Sequence, residues 1–423
     1  MSANNIPIKA HVLRERIQQL GLKQAFMAAE IGVTTKTIRR WLSGQVKSLK
    51  REHYQDLVRT LELGDSPVLI SEADQPLGSK REQKMAASAI CDFDFAHLFY
   101  RSKEYALMES LVKAVLEPDL NQESQATLFL ILVEASFHQS HYKNMGRYLH
   151  RAQHAARASE SDHLLGKVLM WQGLNLMNQG KPQEAQKKLD EAKEWANNHG
   201  LSFGLEIDLH LAKCLGILGK PQQALDYFYK IISLAQKDRD LETRVEAYFH
   251  AFSSLIEVAE SAQTSRWLDD AFALITKQSL TIDMARFRVL EGYLKVTRGN
   301  YEAGFISIRS GLDGIHDKDI DSKEVLYLYA AQAFRLGGRL DLATETLILG
   351  FKELPVAKAF QYGQFHLEYS EILKQLNDSH RSLSHKKQAI RLFTKVGADA
   401  RADAIKNGVP LNPYLRTSNG CED

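Results

Sequence analysis

Apolar residues recur along this chain at helical spacing, and the period-two alternation of a strand is almost nowhere found. Near the start, residues 22–44 read as two short helices around a turn. Phe26, Met27 and Ile31 supply apolar positions in the first, and Ala28 is small enough to let a second helix cross close against it. Gly32 sits where the first helix must stop, because a residue without Cβ takes the left-handed conformation cheaply. Val33 fills the corner. Thr34 stands at the N-cap, and Ile38 with Trp41 or Leu42 gives the second helix its buried side before Gly44 ends it. Residues 64–84 break the periodicity with Pro, Gly and charge and read as a linker; from 85 to 407 nearly every segment reads as amphipathic helix. The expected fold is all-α, a small helix-turn-helix bundle (1–63) followed by a helical solenoid.

The second short helix leaves Thr35, Lys36, Arg39 and Arg40 facing outward, as a helix offered to the DNA major groove must. The order Gln24, Ala28, Gly32-Val33, Thr37-Ile38 and Gly44, within residues 9–63, resembles the phage-repressor or Xre family of helix-turn-helix domains. That resemblance implies contacts to phosphate and base edges from Gln24, Thr35, Lys36, Arg39 and Arg40, with the cap Thr34 beside them and Ser43 reaching phosphate. Trp41-Leu42 is bulkier than the family's usual ending. Charge agrees: residues 1–63 hold 11 Lys or Arg against 5 acids, whereas the whole chain is only +2. A local cationic surplus suits phosphate neutralisation, and Lys47, Lys50 and Arg51 are placed as phosphate clamps.

The body repeats. Gly180, Gly219, Gly299 and Gly338 each end one amphipathic segment and precede another, followed at fixed offsets by small or apolar residues such as Ala185, Leu189 and Ala192. The 39-residue step leaves room for a degenerate copy near Ala259 and extends to Ser102, His141 and Asn377, so eight helical hairpins fit. The spacing Gly173, Gly180, Ala185, Leu189, Ala192, repeated in Gly219, Ala224, Phe228, resembles the tetratricopeptide repeat, with a longer step and Pro182 and Pro221 early in the second helices. The resemblance implies a right-handed solenoid whose first helices line a concave face. Inward positions are then Lys167, Trp171 and Asn178, then Glu206, His210 and Lys213, then Glu246, His250 and Glu257. Arg286 and Tyr293 follow, then Tyr329, Gln332 and Arg335. This polar and aromatic lining suits a peptide main chain.

Other chemistry is not indicated. No phosphate-cradling glycine loop and no nucleophile triad stands out, so a non-enzyme without cofactor is expected. His138 with His141 and His150 with His154 lack the carboxylate or Cys partners of a metal site. Cys91, Cys214 and Cys421 are odd in number and scattered, which with the lack of an apolar run or leader points to the cytoplasm and away from membranes. The tail, 408–423, is expected to fray.

A phage-repressor-like head on a tetratricopeptide-like array is similar in architecture to the bacterial peptide-pheromone receptors known as RRNPP. That likeness implies a homodimer on a double-stranded operator with a short signalling peptide in the groove, Asn178 being the candidate for its clamp; pairing of the two chains is expected through the repeats near 339–407. The competing reading is a DNA-tethered docking module whose repeats hold a folded partner such as a response regulator or polymerase subunit. A third, in which a glutamine or acid of the repeats assists dephosphorylation of a partner, belongs to the enzyme class.

Overall fold

The computed structural model describes residues 5–7, 10–19, 22–46, 48–61, 80–92, 95–100, 103–116, 119–234, 241–258, 261–315, 323–355, 358–409 and 411. Two compact units are distinguished, residues 1–86 with 113–117, and residues 87–112 with 118–423.

The first unit holds α1 (Ala10–Gln19), α2 (Gln24–Ile31), α3 (Thr35–Leu42) and α4 (Arg51–Thr60), with the two short strands β1 (Asn5–Pro7) and β2 (Ser48–Lys50). Gly32 ends α2 at φ +72°, and its N–H reaches the carbonyls of Ala28 and Ala29. The Thr34 hydroxyl then accepts the N–H of Thr37 at 3.1 Å and starts α3. Leu13, Met27, Ile31, Ile38, Trp41 and Leu57 form the core, each buried group contributing roughly 1.5–3 kcal/mol. Trp41 takes the buried place on α3, at 3% exposure, and Leu42 is only half-buried. Phe26 departs from expectation. It is 49% exposed, because Met27, Ala28 and Ile31 occupy the inner arc of this eight-residue helix and Phe26 lies about 100° round from Met27. The antiparallel ribbon, pairing Ile6 with Leu49, is an addition to the all-α plan; three-residue strands are too short to show an alternation.

The unit boundaries fall within α5 (Lys80–Asp92) and α7 (Tyr105–Val115), and the second unit runs on past α6 (Phe95–Tyr100) into long hairpins. These are α8 (Gln122–His138) with α9 (Tyr142–Ser159), α10 (Asp162–Asn178) with α11 (Pro182–Asn198), and α12 (Gly204–Ile217) with α13 (Pro221–Leu234). Next come α14 (Leu241–Glu257) with α15 (Ser261–Lys277), α16 (Thr281–Thr297) with α17 (Tyr301–Ile315), and α18 (Lys323–Leu336) with α19 (Leu340–Glu353). The last hairpin is α20 (Ala359–Gln375) with α21 (Ser379–Lys395), followed by α22 (Asp399–Lys406). The corners at Lys103, Ser140, Gly180, Gly219, Gly299, Gly338 and Asn377 all have positive φ; the position near Ala259 lies outside the described residues.

Small residues set how closely each hairpin closes. Ala185, Leu189 and Ala192 are fully buried on α11 against α10. In the α16–α17 hairpin the backbones approach so nearly that a Cβ on Gly292 would lie 2.6 Å from the carbonyl oxygen of Gly304.

Ion pairs join the inner helices of successive repeats. Arg286 of α16 contacts Glu246 of α14 at 2.6 Å and Asp283 at 2.7 Å. Arg335 of α18 holds Glu368 of α20 through two bonds, at 2.5 and 3.2 Å.

The C-terminal end returns to earlier repeats. Gln183 Nε2 donates to the Gly397 carbonyl at 3.1 Å. Arg401 of α22 donates to the Gly216 carbonyl at 2.7 Å and to Glu257 at 2.8 Å.

Candidate functional site

The helix-turn-helix presents its polar side as the periodicity demands. With Ile38 and Trp41 turned into the core, Lys36, Arg39 and Arg40 are exposed on α3, and Thr35 is half-buried at its first turn. Gln24 opens α2, and Lys50 is exposed at the end of β2; Lys47 lies outside the described residues. Two of the proposed contacts also have local roles. Thr34 is the N-cap, its hydroxyl also 2.9 Å from that of Thr37, and Ser43 is the C-cap, its hydroxyl donating to the Arg40 carbonyl at 3.1 Å.

In the second unit a cavity of about 580 Å³ lies among α10, α12, α14, α18, α20 and α22. Asn178, His210, Lys213, His250, Glu257, Tyr329, Gln332 and Arg335 line it. Lys167, Trp171, Glu206, Glu246, Arg286 and Tyr293 do not. Trp171 is buried edge-on to Phe137 at 5.5 Å, and Tyr293 is fully buried between Phe252 and Tyr329. Arg286 is 2% exposed, spent on its two carboxylates and the face of Phe249, 4.1 Å away. Neighbouring inner helices stand side by side here, so long side chains at these positions meet the next helix before they reach open space.

Many of the missed residues come from the C-terminal helices. Lys358, Phe360, Gln361, Gln364, Leu367, Glu368, Glu371 and Lys374 form a stripe along α20, and Lys386, Arg401, Val409 and Leu411 complete it. A signal was available for part of this set. Lining residues stand nine, six and three places before two of the glycine corners, His210, Lys213 and Gly216 before Gly219 and Tyr329, Gln332 and Arg335 before Gly338, and the same offsets from Asn377 give Glu368, Glu371 and Lys374. The segment expected to fray also contributes, since Gly408, Val409 and Leu411 face the cavity and Leu411 packs on the cluster around Phe393.

Four lining residues are carboxamides, namely Asn178, Gln332, Gln361 and Gln364. The Asn178 Nδ2 is buried with no hydrogen-bond partner among the described residues. Burial and the nearby Lys213 charge depress His210 well below the ordinary imidazole range, and burial and Lys213 bring His250 down to about 4, so both rings are neutral at physiological pH. Burial raises Glu257 and Glu368 above the usual carboxylate range, opposed by Arg401 and Arg335 respectively.

Among the described residues no group of three metal-ligating side chains is assembled, and no helix is long and apolar enough to cross a membrane. His138 stacks on Tyr105 at 4.0 Å. The buried Cys214 donates to the Pro182 carbonyl, and burial pushes its thiol up to about 12, which leaves it unreactive.

Residues 13–64 match the helix-turn-helix family HTH_3. A search of curated proteins finds no match to the chain. Among solved structures it is similar to a Rap protein complexed with Competence and Sporulation Factor, with a TM-score of 0.50 at 12% identity over 78% of this chain and 97% of that one. A tetratricopeptide repeat protein from Parabacteroides merdae gives 0.40 at 15% identity, over 66% and 99% of the two chains. PlcR from Bacillus thuringiensis, solved with the peptide PapR7 and DNA, gives 0.34 at 11%, over 73% and 94%. At these identities the likeness to the Rap protein is one of fold: the second unit is a tetratricopeptide-like helical array behind an Xre-type DNA-binding head.

Proposed function

We propose that this helix-turn-helix protein is a cytoplasmic, non-enzymatic transcription regulator of the RRNPP type, whose repeat domain binds a short peptide that modulates operator binding by a homodimer. The observation that carries the reading is the ring of carboxamides around a 580 Å³ cavity, with the Asn178 Nδ2 left without a partner. An extended peptide brings one donor and one acceptor per residue, and a carboxamide offers one of each. The volume falls in the range that encloses a small ligand. Phe137, Met177, Leu328 and Phe360 supply apolar surface for its side chains. The Rap protein that shares the fold was solved with Competence and Sporulation Factor, which supports a signalling ligand here.

At the other end, α3 would enter the major groove with Thr35, Lys36, Arg39 and Arg40 at base edges and phosphates, steadied by Gln24, Thr34, Ser43, Lys47 and Lys50. Two such heads in a dimer meet half-sites about one helical turn apart. Docking of a folded partner on the concave face is less well supported, because α20 and α22 wall the cavity opposite α10 and α12.

The test is chromatin mapping of bound sites in the native host, with and without peptide-rich spent medium. Sites should vanish in the Lys36→Ala/Arg39→Ala/Arg40→Ala chain, and occupancy should respond to the medium in the native chain. A chain carrying Asn178→Ala, Gln332→Ala and Gln364→Ala should bind the same sites without that response. An undiminished response from this variant would sink the groove assignment.

A further inference from the structure

The second helices of the hairpins occupy one structural place in each repeat, so their charges can be compared directly. α11, α13, α15, α17 and α19 each carry as many acids as cations, or more. α9 differs: its 18 residues include Lys143, Arg147, Arg151 and Arg157 and neither Asp nor Glu. α21 is also without acid, but its Arg381 is taken up by Asp378 and its Lys386 faces the cavity.

The helical period gathers the charges of α9 on one face. Lys143, Arg147, Arg151 and Arg157, with His150 and His154, are all exposed, and at about 100° per residue they fall within an arc of about 120°, opposite the buried Met145, Leu149, Ala152 and Ala156. At about 1.5 Å per residue the stripe is about 21 Å long. The next acids in sequence, Glu160 and Asp162, stand past its C-terminal end, and Asp162 faces His199 at 3.7 Å. Two of the guanidiniums are oriented without being neutralised. Arg147 donates to the carboxamide oxygen of Asn144, and Arg151 lies 4.6 Å over the Phe129 ring. Among the described residues no carboxylate pairs with any of the four cations.

The partner that fits such a face is a regular polyanion. A protein partner would require an apolar centre to the interface, and α9 exposes no large apolar side chain. Phosphate requires what α9 has, guanidinium forks whose planar geometry matches two oxygens at once, spaced along a line. Over about 21 Å of duplex axis each DNA strand passes about six phosphates, enough to face all four cations. We propose that α9 is a second DNA-binding surface, one that holds the phosphate backbone without reading bases. The inference rests on the DNA-binding reading of the head and adds to it an affinity supplied by the repeat domain.

The test is fluorescence anisotropy of the full-length protein with a labelled random-sequence duplex of about 60 bp, between 50 and about 200 mM salt. The variant Lys143→Gln/Arg147→Gln/Arg151→Gln/Arg157→Gln should lower the slope of log affinity against log salt by about 3–4 for each bound chain, and weaken binding at about 150 mM salt at least about tenfold. Arg147→Lys/Arg151→Lys/Arg157→Lys should keep the native slope, because the slope counts charges rather than side-chain shape. All four positions are exposed, so the fold should persist, checked by an unchanged melting temperature. Should the fourfold variant fail to fold, Lys143→Gln/Arg157→Gln spares the contacts to Asn144 and Phe129 and should show about half the change in slope. An unchanged slope and affinity would overturn the proposal, and if the same variant had lost binding to poly-L-glutamate the stripe would belong to an acidic protein instead. The head variant Lys36→Ala/Arg39→Ala/Arg40→Ala separates the two readings. It should retain a residual, salt-dependent affinity from α9; undiminished affinity in this variant, with loss in the α9 variant, would overturn the head assignment and leave α9 standing. A native chain with no affinity for the duplex would overturn both.

Discussion

Removing the Arg401 side chain should open the solenoid where its last helix meets the middle repeats. The guanidinium makes two charge-assisted hydrogen bonds, to the Gly216 carbonyl and to Glu257, and lies over the Phe360 ring at 5.4 Å. Its side chain is 6% exposed and that of Glu257 is 17% exposed. Breaking a buried pair from one side costs roughly 3–5 kcal/mol, mostly because the remaining charge is stranded. Glu257 has one way to limit this loss, since burial already raises its pKa and a lone carboxyl there would take up a proton. The lower bound of about 3 kcal/mol is therefore the reasonable figure for Arg401→Ala, a factor of about 10² in the ratio of attached to detached α22. Ala402 and Ile405, both buried, limit how far the helix departs. Hydrogen exchange read by mass spectrometry is the suitable assay. Amides of residues 398–409 should lose protection by about that factor in Arg401→Ala, while α16 and α17 should exchange as before. Arg401→Lys, which can keep one of the two bonds, should fall between. Unchanged exchange over 398–409, or a uniform increase through every repeat, would refute the idea that this contact is a local closure.

Three further outcomes are expected. Replacing Lys36, Arg39 and Arg40 together by Ala should abolish specific operator binding in an anisotropy assay and lower the slope of log affinity against log salt by about 3 for each bound head, with the fold intact; unaltered affinity would remove α3 from the interface. The neutral His250, facing Glu246, Lys213, Arg286 and His210, has its folded pKa brought down to about 4 from an ordinary 6.5, so its contribution to stability is present above pH 6.5 and lost as pH falls towards 4. That loss is on the order of 3 kcal/mol over the full window, and His250→Gln should flatten the fall in urea midpoint between pH 7 and pH 4.5 accordingly. Gly292→Ala should destabilise the repeat domain by about 1–3 kcal/mol, because the new methyl meets the Gly304 carbonyl at 2.6 Å and the backbone nitrogen of Ile308 at 2.9 Å; an unchanged melting temperature would show that the α16–α17 hairpin can relax.

Corners and stripes were legible in the residues because both are local. Gly32, Gly180, Gly219, Gly299 and Gly338 take left-handed backbone at the turns, and Ser140 and Asn377 do the same without the glycine that would announce them. The inward face was harder to read. Asn178, His210, His250 and Gln332 reach the cavity, yet Arg286 and Tyr293 occupy comparable places in their repeat and are consumed by neighbours. Which outcome a position meets depends on whether the next inner helix carries a carboxylate such as Glu246, or an aromatic such as Phe252, within reach. The wall formed by α22 and Val409 was not legible at all. It depends on rotation accumulated over several hairpins, which brings Arg401 to Gly216 across 185 positions of sequence, and no local pattern encodes that sum.

This closure also bears on how a bound peptide could be felt beyond its own contacts. The cavity's two walls come from distant stretches, α10 to α14 on one side and α18 to α22 on the other. A ligand touching both reports on their separation, and it shifts the solenoid only as far as it prefers one separation to another. A hundredfold preference is worth about 2.7 kcal/mol. That is close to the roughly 3 kcal/mol assigned above to Arg401. A peptide group that drew Arg401 towards itself would therefore act on the same scale as the contact that holds α22 in place. Closure held much more tightly would be insensitive to such a ligand, and closure held much more loosely would be open without one. With one guanidinium and two buried apolar side chains supporting it, α22 is held within the range that a short peptide can influence.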